Sequence, residues 1–165
     1  IIGVLDSQEA LEAYEQRRCQ VYANDRAVLA GQISSLKMPS ENDILPESIG
    51  DSPLAVVVRQ EPGVFPHVVA WVTRVLIMGE AYKVGQDVFK DSSKTHLIRQ
   101  LSSQWGSSLD HSLLVKDWPL VILKSVGHYG EIFERNLGKN TVLNLNRGSN
   151  RPWTEGGRMY APPFR

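Results

Sequence analysis

Apolar positions along this chain switch repeatedly between a short run and a helical period. IIGVL opens with a β-branched run, and DSQEALEAYEQRRC follows, in which Asp6 and Glu9 stand three apart as a capping box. Ala10, Leu11 and Tyr14 mark one helical face, so the pattern predicts a helix over about residues 7–18. QVYAN then has strand propensity, and RAVLAGQISSL places Leu29, Ile33 and Leu36 on a second stripe. Strand, helix, strand, helix is the order of an α/β sheet with parallel pairing. A strand at the very start cannot satisfy its backbone alone, so part of the sheet is expected to be missing or to come from elsewhere.

Residues 37–53, KMPSENDILPESIGDSP, hold three prolines and many turn formers, which places a boundary or crossover there. PLAVVVRQ has the composition of a buried strand. The turn Glu61-Pro62-Gly63 leads into a helix with Pro66 near its first turn, where a missing N–H costs nothing. Val68, Val69, Val72, Leu76 and Gly79 face inward along that helix, which is expected to end near Gly85. Residues 86–116 predict two weaker helices with Ser-rich connections. DWPLVILKSVGHYGEIFERNLG predicts one long helix capped by Asp117, with a stripe of Ile122, Val126, Tyr129, Phe133 and Leu137 and a stop at Gly138. Residues 139–165 are rich in Gly, Pro and Asn and are expected to form an irregular tail on the domain surface.

The 165 residues allow one ordinary core or two half-sized lobes. Lys plus Arg equals Asp plus Glu at 18 each, and no basic block occurs, so nucleic acid is not an expected partner. The most apolar segment, FPHVVAWVTRVLIMG, is broken by His67 and Arg74 and falls short of the roughly 20 residues of a bilayer span. A soluble chain is expected. The N-terminus has neither an initiating Met nor a signal-peptide pattern, as in a processed or cut chain. The one cysteine, Cys19, excludes an internal disulfide and leaves the redox compartment open.

Few residues combine into chemistry. His67, His96, His111 and His128 lack metal-ligand spacing, and no cofactor is expected. Glu131 and Glu134 lie beside Arg135 on one helix and fit a solvated face with ion pairs better than acid–base work. Cys19 follows two arginines but has no histidine base in view. No Gly-rich phosphate loop occurs, and no base, nucleophile and orienter stand in relation, so an enzyme is not expected. Asp25 remains, between a strand and a helix. It suits an N-cap, and it also suits a ligand ammonium group, because ligands of open α/β sheets bind beyond the carboxyl ends of strands. The two uses are compatible.

RRCQVYANDRAVLAG, ILPESIGDSPLAVVVRQ, VGHYGEIFERNLG and RGSNRPWTEGGRMYAPPFR follow one another as in the C-terminal half of the general L-amino-acid-binding periplasmic proteins, the solute-binding components of polar amino acid ABC importers. The resemblance covers nearly the whole chain. It implies a partial type II periplasmic binding protein fold of the α/β class, with two lobes clamping an amino acid between them. Residues 1–50 would end the second lobe, a crossover would fall near 45–55, and residues 51–165 would complete the first lobe. By the same resemblance Asp25 pairs with the substrate α-ammonium, flanked by Asn24 and Arg26, and the partners are an L-amino acid and an ABC permease in the periplasm.

The chain departs from that family in lacking roughly the first half, which would carry the group for the substrate carboxylate and most of the side-chain pocket. Relatives usually carry Asn at the His128 position and a more apolar segment at Asn150-Arg151-Pro152. Three accounts of the shortened chain stand side by side: half of a split receptor, a relative kept as a structural or interaction subunit, and a swapped assembly of two copies. Alone, it is expected to bind amino acids weakly or not at all.

Overall fold

The computed structural model of the chain describes residues 2–51, 53–60, 63–105, 115 and 117–162. Two compact units result, one formed by Ile1–Val56 with Val142–Leu145, the other by Val57–Thr141 with Asn146–Arg165.

The first unit carries helix α1, Ser7–Glu15, and helix α2, Arg26–Ile33. α1 starts where the capping pattern predicts it: the Asp6 side chain accepts from Glu9 N–H at 2.9 Å. The Glu9 carboxylate reaches past the cap to accept from Leu5 N–H at 2.8 Å, so two orphan donors are satisfied. The helix stops at Glu15, short of the expected residue 18, and Arg17 adopts a positive φ of 58°. Tyr14 on α1 donates its hydroxyl to Asn42 Oδ1 at 2.6 Å, and Glu15 accepts from Lys37 N–H at 3.0 Å, fastening the 37–42 turn to α1.

The segments read as strands, residues 1–5, 20–24 and 53–60, form no β-ladder among the described residues, where pairing consists of one isolated bridge between Pro152 and Met159. This corrects the expectation of strands formed within the chain. The physical reason is that a strand's hydrogen bonds belong to its neighbour: composition prepares a segment for a sheet but cannot supply the partner.

The second unit holds the main core. Helix α3, Phe65–Ala81, begins with Pro66 in its first turn as expected and ends before Gly85. It packs against helix α5, Trp118–Val126, and helix α6, Tyr129–Asn136. Val75, Met78, Val84, Leu123 and Trp118 lie in one buried cluster, with Leu101 of helix α4, Thr95–Trp105. Gly79 is required at the α3–α5 crossing, because a Cβ there would lie 2.5 Å from Leu123 Cδ2. Of the two weaker helices expected over 86–116, α4 is present and a short 3₁₀ turn, Gln86–Phe89, precedes it. His111 and the rest of 106–114 lie outside the described residues.

The long helix expected from Asp117 to Leu137 is two helices, broken at Gly127 and His128. Gly127 takes φ 80°, a conformation that suits glycine. His128 is then the N-cap of α6: Nδ1 accepts from Glu131 N–H at 3.2 Å while the Glu131 carboxylate accepts from His128 N–H at 2.8 Å. A capping box with histidine in the cap position is easily passed over in sequence, because histidine is not among the usual capping residues. Asp117 also departs from expectation. It stands at the start of α5 in the left-handed region and makes no cap bond; its carboxylate accepts from Ser102 Oγ on α4 instead.

Residues 139–162 have little regular structure and are tightly bonded. Trp153 N–H donates to Met159 O, Met159 N–H to Arg151 O and Arg158 N–H to Ser149 O, at 2.8–3.1 Å, around a fully buried Pro152.

Candidate functional site

Asn24, Asp25 and Arg26 lead into α2, and each is held differently. Asn24 is half-buried; its side-chain amide donates to Tyr22 Oη at 2.6 Å and to Ser7 Oγ at 3.2 Å, while its Oδ1 accepts from Asp25 N–H at 2.8 Å. Arg26 turns away and donates to the carbonyls of Leu45 and Pro46 at 3.2 and 2.9 Å. These contacts fix the backbone on both sides of Asp25. Sequence reasoning missed Tyr22 and Ser7 as the braces of Asn24, since Ser7 is 17 positions away and only folding brings it near.

Asp25 itself is exposed. It occupies the N-cap of α2 by backbone position, with Leu29 N–H donating to its carbonyl at 2.9 Å, but its side chain makes no cap hydrogen bond. The contrast with Asp6 is informative: the same residue type at the same helical position spends its carboxylate on the backbone in α1 and leaves it available in α2. An available carboxylate at the positive end of a helix, on a braced loop, is suited to a cationic group.

Of the other acidic candidates, Glu131 is consumed by structure. Glu131 accepts from His128 N–H and from Gln86 N–H, the latter at 3.0 Å, and so ties the turn after α3 to α6. Gly85 and Gly127 leave room for it, since a Cβ at either would come within 2.7 Å of Glu131 Oε2. Glu134 is exposed and lines a shallow depression with Lys139, Asn146, Arg147, Gly148 and Arg151. Glu80 is paired with Arg147, whose guanidinium also lies over the Tyr129 and Phe133 rings at 5.2 and 5.0 Å. Spacing gave no sign of this cluster. Cys19 is half-buried with a free thiol, and no group of metal-ligating side chains occurs among the described residues. No described helix is long and apolar enough to cross a membrane.

No protein-family model matches the chain. It is 39% identical over 161 residues to the general L-amino acid-binding periplasmic protein AapJ of Rhizobium johnstonii, covering 95% of this chain and 47% of the relative. It is 33% identical over 167 residues to the glutamate/glutamine/aspartate/asparagine-binding protein BztA of Rhodobacter capsulatus, covering 99% and 49%. It is 32% identical over 162 residues to the putative amino-acid ABC transporter-binding protein YhdW of Escherichia coli, covering 96% and 48%. Among solved structures, an ABC transporter periplasmic binding protein from Brucella ovis with glutathione bound superposes with a TM-score of 0.77 at 37% identity, covering 97% of this chain and 51% of that one. The chain spans about half the length of the curated relatives it matches, and its fold is part of a periplasmic binding protein fold.

Proposed function

We propose that this chain, which belongs with the amino-acid-binding periplasmic proteins of ABC importers over about half of their length, carries the ammonium-recognising side of an amino-acid receptor. In this proposal residues 1–50 end one lobe, residues 51–165 complete the other, and the crossover lies near 45–55. Asp25 meets the α-ammonium of the ligand, and Asn24 and Arg26 hold its loop in place. The observation that carries the proposal is the Asp25 carboxylate, which stands at a helix N-cap without capping it and is exposed.

The physics follows from a zwitterionic ligand. General amino acid recognition needs charge-assisted contacts at both ends, with pocket shape selecting among side chains. A ligand touching both lobes stabilises the closed form and shifts the population toward the shape that a permease engages in the periplasm. One exposed carboxylate supplies about 1 kcal/mol or less, which does not offset the entropy of association. The remaining half of the receptor is therefore required for tight binding.

A titration of the isotope-labelled chain with glycine and L-glutamate, followed by NMR, tests the assignment. Binding with a Kd of about 1 mM or weaker is expected, with shifts concentrated at residues 24–26 and lost in Asp25→Asn. Shifts that leave residues 24–26 untouched overturn the role of Asp25, and micromolar affinity overturns the need for a second half.

A further inference from the structure

Arg26 is the first residue of α2, whose first turn holds no acidic residue. That turn is the positive end of the helix dipole, where a cation is disfavoured unless another contact offsets the cost. The offsetting contact is on the page. Arg26 Nη2 donates to Leu45 O at 3.2 Å and to Pro46 O at 2.9 Å, across 19 and 20 positions of sequence. Both acceptors stand in residues 42–51, a stretch with neither helix nor ladder, within the range proposed above for the crossover. Pro46 has no N–H, so its backbone can be held only through its carbonyl.

The stretch before Pro46 is fastened step by step. Asn42 accepts from the Tyr14 hydroxyl at 2.6 Å and donates to Met38 O at 2.6 Å, the Asp43 carboxylate accepts from Ile44 N–H at 2.8 Å, and Arg26 holds the next two carbonyls. Past Pro46 the Ser48 hydroxyl donates to Gly50 O at 2.8 Å, and a Cβ at Gly50 would meet nothing within 4 Å. Arg26 therefore marks the end of the fastened part. It is also the residue next to Asp25, so a displacement of the 24–26 loop reaches the carbonyls of Leu45 and Pro46 through one peptide unit and one side chain.

Resting on the reading of Asp25 as the ammonium contact, we propose that Arg26 is a positioning residue that touches no ligand and couples the Asp25 contact to the crossover. An arginine beside Asp25 would otherwise suit the ligand carboxylate. Here the guanidinium is turned onto two backbone carbonyls, and it sets where the bending part of the crossover begins. A ligand held by Asp25 then biases the crossover as well as the loop, which is the differential contact that a two-state receptor requires.

The test is an NMR titration of the isotope-labelled chain with glycine in the parent, Arg26→Met and Arg26→Lys. In the parent, shifts are expected at the amides of residues 24–26 and, with the same midpoint, at Ile44, Leu45 and Glu47. Arg26→Met is expected to keep the shifts at Asn24 and Asp25 with Kd unchanged within about threefold, and to lose those at Ile44, Leu45 and Glu47. Arg26→Lys still reaches one carbonyl and is expected to restore part of them. Without ligand, the carbonyl-carbon signals of Leu45 and Pro46 are expected to move in Arg26→Met while that of Ser48 stays. Arg26 is exposed, so both variants are expected to keep the parent's circular dichroism. Shifts at 44–47 that persist in Arg26→Met, loss of the Asn24 and Asp25 shifts in a folded Arg26→Met, or unmoved carbonyl signals overturn the coupling. Parent shifts at 24–26 with none at 44–47 overturn the coupling and leave the role of Asp25 standing, whereas no parent shift at 24–26 removes the ammonium contact and the coupling with it.

Discussion

Arg147 grips Glu80 with both ends of its guanidinium, Nη1 to Oε1 at 2.5 Å and Nη2 to Oε2 at 2.9 Å, although 67 positions separate the two residues. Both side chains are largely buried, at 11% exposure each, and Nη2 donates as well to the carbonyl of Asn150. Gly130 makes the approach possible, since a Cβ there would lie 2.5 Å from Glu80 Oε1 and 2.9 Å from Arg147 Nη1. The pair thus fastens the irregular tail to α3 over the opening turn of α6.

Removing one partner leaves a desolvated charge. Glu80→Ala is expected to lower stability by about 3 kcal/mol, read as a shift of the denaturant midpoint. Arg147→Lys is expected to cost less but not nothing, because lysine keeps the charge and loses both the fork and the stacking on Tyr129 and Phe133. Gly130→Ala, which replaces neither charged residue, is expected to destabilise by displacing the pair. An unchanged midpoint in Glu80→Ala would contradict the buried pair.

The break between α5 and α6 makes a second prediction. His128→Asn preserves an acceptor for Glu131 N–H and is expected to be nearly neutral, while His128→Ala is expected to cost about 1 kcal/mol. Glu131→Ala is expected to cost more than His128→Ala, because it strands both His128 N–H and Gln86 N–H. Thermal unfolding of the three variants orders them; equal losses would mean that the carboxylate bonds carry no weight.

Asp6 and Asp25 occupy equivalent helical positions with different duties. Asp6→Ala is expected to destabilise α1 by about 1 kcal/mol through loss of its cap. Asp25→Asn loses no cap bond and is expected to cost about 0.5 kcal/mol or less, from weaker interaction with the helix dipole. Amide hydrogen exchange of the two helices separates these outcomes. Comparable losses in both would mean that Asp25 is a structural cap and not a free carboxylate.

Asp91 caps the 3₁₀ turn Ser92–Lys94 that leads into α4. The Ser93 hydroxyl, at 2.7 Å, and then the Ser93 N–H, at 3.0 Å, hold its carboxyl below the ordinary 3.8, with the Lys94 charge adding to them. A folded value below the unfolded one stabilises at any pH above the unfolded value. That contribution is lost as pH falls through the folded value, so the window lies below about pH 4. An NMR titration is expected to place Asp91 below its ordinary value, and Ser93→Ala is expected to move it back up. A midpoint at or above 3.8 in the parent chain contradicts the bond pattern.

Helices whose start or stop is written in nearby residues were legible from sequence. α1 and its Asp6 cap, α2 around Leu29 and Ile33 of its predicted stripe, and α3 with Pro66 in its first turn all follow from periodicity within a few turns, although α2 stops at Ile33, short of Leu36. The resemblance carried by QVYANDRAVLAG and VGHYGEIFERN, together with the relatives now known, reaches further than any local pattern. It points to Asp25 as a candidate, and composition alone could not separate a cap from a contact.

Tertiary structure decided what depends on distant partners. Glu131 became a structural acceptor because Gln86 N–H arrives from 45 positions away, and Asp117 gave its carboxylate to Ser102 rather than to its own helix. Arg147 found Glu80 only through the packing of α6 against α3. The strand segments make the same point in reverse: residues 20–24 and 53–60 are composed for a sheet, yet pairing is a property of two segments, and among the described residues the second is not there. Local sequence sets the backbone's preferences at short range, while ion pairs, buried carboxylates and ladders are settled only when folding brings remote groups within about 3 Å.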